Sequence, residues 1–517
     1  TMLNKKNRVL LVGALIMVVL VASFGIKMIG EAQENHAIKK AEAERLAEIE
    51  REAEAERLKQ EEEAKRIEEE RLRLEEEARK KEAEEKARLE NIKANTIFTS
   101  ASGATLYKSA EEGAEVIDKL SSKKAIYAAS QIKNEAGEVQ FYEVKADIDS
   151  EVLGYVSAGD VVLTLADYIV KKYDDVDYSY IEKTKGFENN PKIPVKAIYV
   201  TGKTASGDRL DEMIKMIDET ELNAIVIDVK DDEGYLLFHS ATAETLNPEA
   251  NNKVYLSDID AFVKKMKEHN IYLIARIVTF KSPIYAKNHP ERAIVYKSTG
   301  ELYSDSDKLI WASAHDRTLW QYNVGIAKEA AALGFNEIQF DYVRFPAIAR
   351  QDDMDYRNDT GESQTAAIQN FLKFAYENLS EDEVYISADV FGWAASALDD
   401  VGIGQHWESV ANAVDYICPM MYPSHYGPGN FGLTVPDAFP YETIDRSLKA
   451  AMARNANLQS AAGIRPWIQD FTATWVEGYI PYRTKEVHAQ IQALKDNGID
   501  EYLVWNAGNY YHENAFK

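Results

Sequence analysis

Eight short apolar runs alternate with amphipathic segments between residues 194 and 517, and this alternation constrains the fold more than any other feature of the sequence. The amphipathic segments carry apolar residues at helical spacing. The runs are 196–201, 223–230, 271–280, 337–346, 384–393, 415–422, 462–471 and 501–509. A strand followed by a helix, repeated in this way, predicts an α/β fold of the (β/α)8 TIM-barrel type. An open doubly wound sheet is the main alternative, but no Gly-x-Gly-x-x-Gly turn follows the first run.

The N-terminal segment has the pattern of a membrane anchor. Residues 9–26 contain no charged residue and follow a stretch rich in Lys and Arg, which suits one helix of roughly 20 residues across a bilayer. We therefore predict a cytoplasmic basic tail at 1–8 and a transmembrane helix at 9–29, with the rest of the chain extracellular. A cleaved signal peptide is the alternative, but the small-residue cleavage site is poor. The expected location is the cell membrane, with a single pass.

Residues 30–94 are almost entirely Glu, Lys, Arg, Ala and Leu, which predicts a long charged helix. Glu residues often stand four positions before a Lys or Arg, as Glu62 stands before Arg66, and such pairs stabilise an isolated helix. One heptad seam position is mostly acidic, which favours a single-helix spacer over a coiled coil. A partly disordered charged tether would serve the same spacing role.

Short apolar alternations separated by Gly-, Asn- and Ser-containing turns predict a small all-β unit at 95–166. The order of the segments Ala104–Tyr107, Val116–Leu120 and 154–156 resembles bacterial SH3-like domains of cell-wall proteins. That resemblance implies either a module that binds wall peptides or a spacer. A polar linker, 167–193, is expected to connect this unit to the barrel at 194–517.

Composition excludes several classes of function. A formal net charge of -26 and a pI near 4.9 disfavour nucleic acid as a partner, because phosphate binding needs clustered Lys and Arg. The single cysteine, Cys418, cannot form an intramolecular disulfide, so stability must come from apolar burial. A metal-dependent polysaccharide deacetylase is disfavoured because the nine histidines are scattered, with no His-x-x-x-His pair. We predict no metal or cofactor, and no Gly-x-Ser-x-Gly nucleophile elbow follows a strand.

Three acidic residues stand late in predicted strands, where a TIM barrel carries its active site. They are Asp228 in the second run, Asp341 in the fourth and Asp389 in the fifth. Burying an unpaired carboxylate is costly, so these acids imply either ion pairs or a site that uses their perturbed pKa values. Glycoside cleavage needs one carboxylate and one proton donor on facing sides of a cleft, which neighbouring strands can supply.

Basic and aromatic residues near the same strand ends are the candidate substrate-binding groups. Lys230, Arg276 and Arg344 could each neutralise one acid, and the two-residue period of a strand predicts Lys230 on the same face as Asp228. Aromatic rings stack on the apolar faces of sugars. Four tryptophans on predicted helices or loops, Trp311, Trp320, Trp407 and Trp475, are expected to pack in the core instead. The full substrate-binding set is Lys230, Arg276, Tyr342, Arg344, Trp393, Tyr422, His425, Trp467 and Trp505.

Four motifs, at 226–231, 340–346, 387–392 and 419–426, resemble those of a family of bacterial glycoside hydrolases that was long classed as a domain of unknown function. The resemblance spans about 194–511. It implies a retaining-type barrel that is distantly similar to the α-amylase clan, in which the strand-four acid, here Asp341, is the nucleophile. The strand-five acid of that clan is Glu, whereas this sequence has Asp389.

The sequence therefore predicts a membrane-anchored extracellular glycoside hydrolase or transglycosylase that acts on a cell-wall or extracellular polysaccharide. Asp341 would be the nucleophile or base, Asp389 the proton donor, and Asp228 an orienting or binding group. The alternative is a non-catalytic glycan-binding or scaffolding protein built on the same barrel. Sugar binding without any product would distinguish it from the enzyme.

Overall fold

The computed structural model describes residues 34–517. The chain divides into two compact units, one ending at Asn95 and the other comprising Thr96–Lys517. The predicted basic tail and transmembrane helix, 1–8 and 9–29, lie outside the described residues. Within residues 34–517, no helix is both long enough and apolar enough to cross a membrane.

The first unit contains one helix of 62 residues, α1, Glu34–Asn95. Its side chains are mostly exposed, and ion pairs link residues three or four positions apart. Arg71, for example, contacts Glu68 at 2.5 Å and Glu75 at 2.6 Å. Each such pair contributes only about 0.2–0.5 kcal/mol, so many of them together stabilise the exposed helix.

A seven-stranded antiparallel sheet opens the second unit, in the order β3-β2-β6-β5-β4-β1-β7. Its core is small and aliphatic, with Val144 and Val156 fully buried. Breaks in register next to Leu106, Ala128 and Val144 mark bulges, which bend strands in small sheets of this kind. The likeness to SH3-like domains stays a prediction. The strands are β1 Thr96–Thr99, β2 Ala104–Tyr107, β3 Val116–Leu120, β4 Ala125–Lys133, β5 Val139–Lys145, β6 Val152–Ser157 and β7 Val161–Val162.

The polar segment between sheet and barrel is held against the barrel by side-chain hydrogen bonds to its backbone. Gln369 pairs with both the N–H and the carbonyl of Asp177, at 2.7 Å each. Asn190 donates to the carbonyl of Asn336 at 2.8 Å, just before the fourth barrel strand begins. The segment begins beside the N-cap of the helix Gln364–Asn378, where Asp175 accepts from the Ser363 N–H, and reaches the N-terminal ends of the strands at Asn190.

Eight parallel strand positions close into a barrel, which confirms the predicted fold class. Around the ring they follow chain order, and the last strand pairs with the first through Leu503 and Ala197. The seventh position is split into two short strands on either side of Arg465 and Pro466. The barrel strands are β8 Lys196–Val200, β9 Ala224–Lys230, β10 Tyr272–Val278, β12 Glu337–Asp341, β14 Tyr385–Phe391, β15 Tyr416–Met420, β16 Gly463–Ile464, β17 Trp467–Gln469 and β18 Tyr502–Trp505. A separate antiparallel ribbon pairs β11 Val295–Tyr296 with β13 Met354–Asp355.

Helices surround the barrel and bury the outward faces of its strands. The predicted segments 209–220, 259–269, 319–333, 365–379 and 484–497 each coincide with a helix, within a few residues at their ends. The helices of the second unit are α2 Gly202–Ala205, α3 Arg209–Asp218, α4 Ala241–Leu246, α5 Ile259–Glu268, α6 Pro283–Asn288, α7 Arg317–Leu333, α8 Gln364–Asn378, α9 Trp407–Ala411, α10 Pro440–Asn455 and α11 Thr484–Asp496.

Side chains that alternate along the strands divide the core into two layers. The outer layer packs strand residues such as Ile225 and Ile227 against the helices. The inner layer fills the barrel with Ala197, Val226, Cys418 and other inward residues. The interior is therefore a packed core, and open space lies only toward the C-terminal ends of the strands.

Candidate active site

The three predicted acids all come to the C-terminal end of the barrel. Asp228 pairs in register with Arg276 on the neighbouring strand, and Phe340 pairs with Ala388. The residues that follow this second pair, Asp341 and Asp389, therefore lie side by side on adjacent strands. A cavity of about 380 Å³ opens here, and it is lined by Arg276, Asp341, Tyr342, Arg344, Phe391, Gly392, Trp393, Met420, Tyr422, His425, Tyr426, Trp467 and Trp505.

Arg276 lies at the centre of the acids and is only 2% exposed. Its guanidinium contacts Asp228 Oδ1 at 2.5 Å and Asp341 Oδ2 at 2.7 Å, and reaches Asp232 Oδ1 at 3.4 Å. Tyr199 donates its hydroxyl to Asp228 Oδ2 at 2.5 Å. Burial raises the pKa of Asp228 to about 6 in spite of the nearby positive charge. The predicted pairing of an acid with Arg276 is therefore present. It involves three acids, of which Asp228 and Asp341 are the closest.

The backbone after β12 orients the Asp341 carboxylate. Tyr342 has a φ of 48°, in the left-handed region that a bulky residue rarely adopts, at a cost of order 1–3 kcal/mol. In this conformation the Tyr342 N–H donates to Asp341 Oδ1 at 2.6 Å, and its carbonyl accepts from the Phe280 N–H at 3.2 Å. One carboxylate oxygen is thus held by the backbone and the other by Arg276, while the group faces the cavity.

Asp389 has a different environment from its neighbour. It is 1% exposed and does not line the cavity, because Trp467 lies over it and donates from Nε1 to Oδ1 at 2.7 Å. Its Oδ2 is buried with no hydrogen-bond partner among the described residues. Burial, and then the negative charge of Asp341, raise the pKa of Asp389 well above its usual range. The two neighbouring acids therefore differ: Asp341 is paired with Arg276, whereas burial favours the protonated form of Asp389.

Aromatic rings form much of the wall of the cavity. The structure places Tyr342, Trp393, Tyr422, Trp467 and Trp505 there, as the sequence predicted, together with His425 and Arg344. Trp393 is 43% exposed, so its ring is available to a ligand. Several wall residues were not predicted, because apolar side chains in strand-end loops give no chemical signal in a sequence: Phe391, Gly392, Met420 and Tyr426.

Gly392 is required by close packing at the cavity wall. A Cβ there would lie 2.3 Å from the Tyr426 hydroxyl and 2.5 Å from the carbonyl oxygen of Met420. The glycine directly after β14 therefore lets the following loop approach the next strand, which places Trp393 at the wall.

Lys230 does not reach the cavity, which corrects the prediction that it shares a face with Asp228. The register between β9 and β10 shifts after Arg276, so that Ile277 pairs with Lys230. This irregularity turns Lys230 outward, where its ammonium donates to Asn323 of α7 at 2.7 Å. Burial lowers the pKa of Lys230 to about 7.

Three of the four tryptophans that were expected to pack in the core do so. Trp311, Trp320 and Trp407 are buried, whereas Trp475 is 68% exposed and stacks on Phe471 at 6.1 Å. Trp475 lies in a loop after β17, where neighbouring chain covers only one face of the ring. The expectation of core packing is wrong for this residue.

A second cavity, of about 820 Å³, lies beside the first and shares Trp505 with it. Trp505 stacks on Tyr199 with centroids 4.1 Å apart. An exposed ring, Tyr510, forms part of the far wall and is covered on one face by Arg209 at 4.0 Å. Trp505 was predicted, but Tyr199, Arg209 and Tyr510 were missed because they lie on the first strand, at the start of α3 and in a loop, none of which carries a catalytic motif. The two cavities together form a longer site than either alone.

The described residues give no indication of a metal centre. Within 34–517, no group of three His, Cys, Asp or Glu side chains is arranged to hold an ion. At the barrel mouth, Asp228 and Asp341 are paired with Arg276.

Comparison with known proteins identifies a family. No curated protein matches the chain. Among solved structures, a hypothetical protein from Ruminiclostridium thermocellum is 36% identical over 37% of this chain and 97% of its own, with a TM-score of 0.34. The glycoside hydrolase domain of PgaB (BpsB) from Bordetella bronchiseptica is 13% identical over 61% of this chain and 94% of its own, with a TM-score of 0.42. A class V chitinase from Pseudomonas fluorescens is 14% identical over 63% of this chain and 98% of its own, with a TM-score of 0.38.

The family model described as "Putative glycosyl hydrolase domain" matches residues 197–511. The match begins at the second residue of β8, so it contains the barrel strands almost completely, and it includes every charged residue of the mouth cavity. The match covers more than half of the chain. The protein therefore belongs to this glycosyl hydrolase-like family.

Proposed function

We propose that the barrel hydrolyses O-glycosidic bonds of a polysaccharide, or transfers the glycosyl group, at the mouth cavity. The observation that carries this proposal is the pair formed by Asp341 and Asp389. Glycoside cleavage uses two carboxyl groups in different environments. Here Asp341 is paired with Arg276 and faces a cavity with aromatic walls, whereas burial raises the pKa of its neighbour Asp389.

In this proposal Asp341 is the nucleophile or base. Arg276 contacts its carboxylate at 2.7 Å, and the carboxylate faces the cavity. Asp389 supplies the proton that the departing sugar oxygen needs, because its own proton is retained by burial. Asp228 holds Arg276 from the other side and so orients Asp341. In the second half of the reaction a water molecule attacks the glycosyl group and returns a proton to Asp389.

The strand register favours retention of configuration. Neighbouring strands lie about 4.8 Å apart, and Asp341 and Asp389 occupy equivalent positions on two of them. Retaining enzymes place their carboxyl groups about 5–5.5 Å apart, whereas inverting enzymes need roughly 6.5–9.5 Å to admit a water molecule. We therefore expect a covalent glycosyl intermediate on Asp341.

A polymer fits the site better than a single sugar. The two cavities share Trp505, so a chain that occupies the first can extend into the second. We further propose that residues 9–29 anchor the protein in the cell membrane and that the barrel acts outside it on a wall or extracellular glycan. The charged helix α1 would then serve as a spacer and the β1–β7 sheet as a spacer or wall-binding module.

The direct test is release of new reducing ends from wall glycan and from secreted polysaccharides by the full chain. Asp341→Asn should abolish the release, and Asp260→Asn, which changes an exposed acid on α5, should leave it intact. Undiminished release by Asp341→Asn would remove Asp341 from the mechanism.

A non-catalytic glycan-binding protein is the second candidate. The observation in its favour is that Asp389 lies behind the cavity wall instead of in it. Its signature would be glycan binding that survives both Asp341→Asn and Asp389→Asn, with no product from the unaltered protein.

A further inference from the structure

The guanidinium of Arg344 lies in the wall of the mouth cavity without an acidic partner. Three aromatic rings surround it, with centroids at 4.8 Å for Trp311, 5.0 Å for Tyr342 and 4.6 Å for Phe391. Among the described residues its one hydrogen bond runs from Nη1 to the carbonyl oxygen of Phe345, at 3.0 Å. The rings hold the group in place, while most of its N–H donors have no protein acceptor.

The buried arginines of the same barrel behave differently. Arg276, Arg454 and Arg465 each form ion pairs with carboxylates, Arg454 with Glu408 and Arg465 with Glu337. A guanidinium taken out of water is stabilised when its donors meet acceptors of opposite charge. Arg344 differs from these three arginines: it is only partly buried, it lines the cavity, and it has no such partner among the described residues.

The acids of the mouth pair with Arg276, and none of them forms an ion pair with Arg344. Asp341, the acid of the cavity wall, is paired with Arg276, which also contacts Asp228 and Asp232. Arg344 therefore has no ion-pair partner among the described residues. Burial lowers the pKa of Arg344, and the acids around it offset that effect only in part. An anionic group on a ligand would stabilise its charge further.

We propose that Arg344 binds a carboxylate carried by the substrate, so that the first cavity accepts an acidic sugar. A guanidinium presents a planar fork of donors that matches a carboxylate in two-point contact. The carboxylate could belong to a uronic acid or to a lactyl ether on an amino sugar, which share this chemistry. The inference rests on the proposed function of the same site and names the class of its substrate.

The experiment compares each acidic glycan with the same glycan after its carboxyl groups have been reduced to alcohols. One arm uses oligoglucuronate, and the other uses a tetrasaccharide of alternating N-acetylglucosamine and N-acetylmuramic acid. Affinity is measured by calorimetry on the full chain carrying Asp341→Asn, so that no turnover occurs. We expect one of the two acidic forms to bind about 10- to 100-fold more tightly than its reduced form, as for hydrogen bonds to charged groups.

Arg344→Gln should remove that preference and leave affinity for the reduced form unchanged. Arg350→Gln, an exposed arginine in the same loop, is the matched control and should keep the preference. Arg344→Lys retains the positive charge but lacks the planar fork of donors, so the ratio of affinities for the acidic and reduced forms should be intermediate. This variant also tests the proposal if Arg344→Gln does not fold.

Equal binding of acidic and reduced forms in both arms would overturn the inference, as would a preference that survives Arg344→Gln. Absence of binding in both arms would overturn it as well. The comparison needs no hydrolysis. A protein that binds the acidic form selectively but never cleaves it would therefore refute the proposed function alone.

Discussion

Two arginine clusters lie inside the barrel, one at each end, and they use the same chemistry differently. At the base, Arg465 contacts both oxygens of Glu337 at 2.8 Å and Glu501 at 3.0 Å. Tyr272 and Ser387 donate to the same Glu337 oxygens at 2.9 and 2.5 Å. Each Glu337 oxygen thus has at least two donors, and no buried carboxylate at this end is left without one.

At the mouth, Arg276 also pairs with two acids, but the cluster is incomplete. Asp389 lies beside it with a buried oxygen that accepts no hydrogen bond, and its pKa is raised by burial and by Asp341. A buried polar group without a partner is costly, and sites that keep such groups are commonly functional. The difference indicates that the base cluster serves the fold and the mouth cluster serves chemistry.

The largest expected effect comes from Asp341→Asn. If the mouth serves chemistry, kcat should fall by about 10⁴-fold or more, as when a nucleophile is removed from an enzyme. Arg276 would still be paired with Asp228 and Asp232, and Asp389 would lose the repulsion of a neighbouring negative charge. The free energy of unfolding should therefore fall by less than it does for Glu337→Gln. Denaturant unfolding and reducing-end release on the same preparation test both parts. A strongly destabilised variant would show that the mouth cluster also serves the fold.

Glu337→Gln should produce the opposite result. It leaves Arg465 with Glu501 as its single carboxylate partner, and breaking a buried ion pair typically costs about 3–5 kcal/mol. The free energy of unfolding should fall by that amount, while kcat at a temperature where the variant is folded should stay close to that of the unaltered protein. Loss of kcat in a fully folded Glu337→Gln protein would contradict the division between the two ends.

The barrel itself was predictable because each strand and helix carries its own periodicity. All eight apolar runs became strand positions, and acids placed late in them reached the mouth. The base cluster was not predictable, because Arg465 and Glu337 lie 128 positions apart and neither is part of a motif. Such a contact depends on the closed ring, which local patterns do not describe.

Within the site, the prediction failed where the backbone departs from regular alternation. Lys230 follows a register shift, so the two-residue rule gave the wrong face. The different surroundings of Asp341 and Asp389 were not predictable either, since they arise from Arg276 on one side and Trp467 on the other. Residue type and spacing located the acids, but only the three-dimensional contacts distinguish their roles.

Asp389→Asn tests whether the incomplete part of the mouth cluster supplies a proton. Loss of a general acid typically lowers kcat by about 10²–10⁴-fold on a substrate with an alcohol leaving group. An aryl glycoside with a good leaving group needs little protonation, so its cleavage should be much less affected. An equal loss of kcat on both substrates would contradict the role of Asp389 as the proton donor.

The pH profile of the unaltered protein follows from the same assignment. The protonated form of Asp389 is the active one, and its pKa is raised. Activity should therefore be retained above the pH at which an ordinary Asp loses its proton, and it should decline as pH rises through the raised pKa. In Asp389→Asn this alkaline decline should disappear, and a decline that persists would assign it to another group.

The smallest expected effect concerns the aromatic ring above the mouth cluster. Trp505 lies 5.5 Å from the Arg276 guanidinium carbon and lines both cavities, so its removal should weaken binding of a chain that spans them. A stacked ring contributes on the order of 1 kcal/mol, which corresponds to a rise in KM of roughly 5- to 10-fold for Trp505→Ala. Trp505→Phe keeps a ring and should recover most of the loss. Short substrates do not reach the second cavity, so Trp505→Ala should raise their KM less. An equal rise in KM for short and long chains would confine the role of Trp505 to the first cavity.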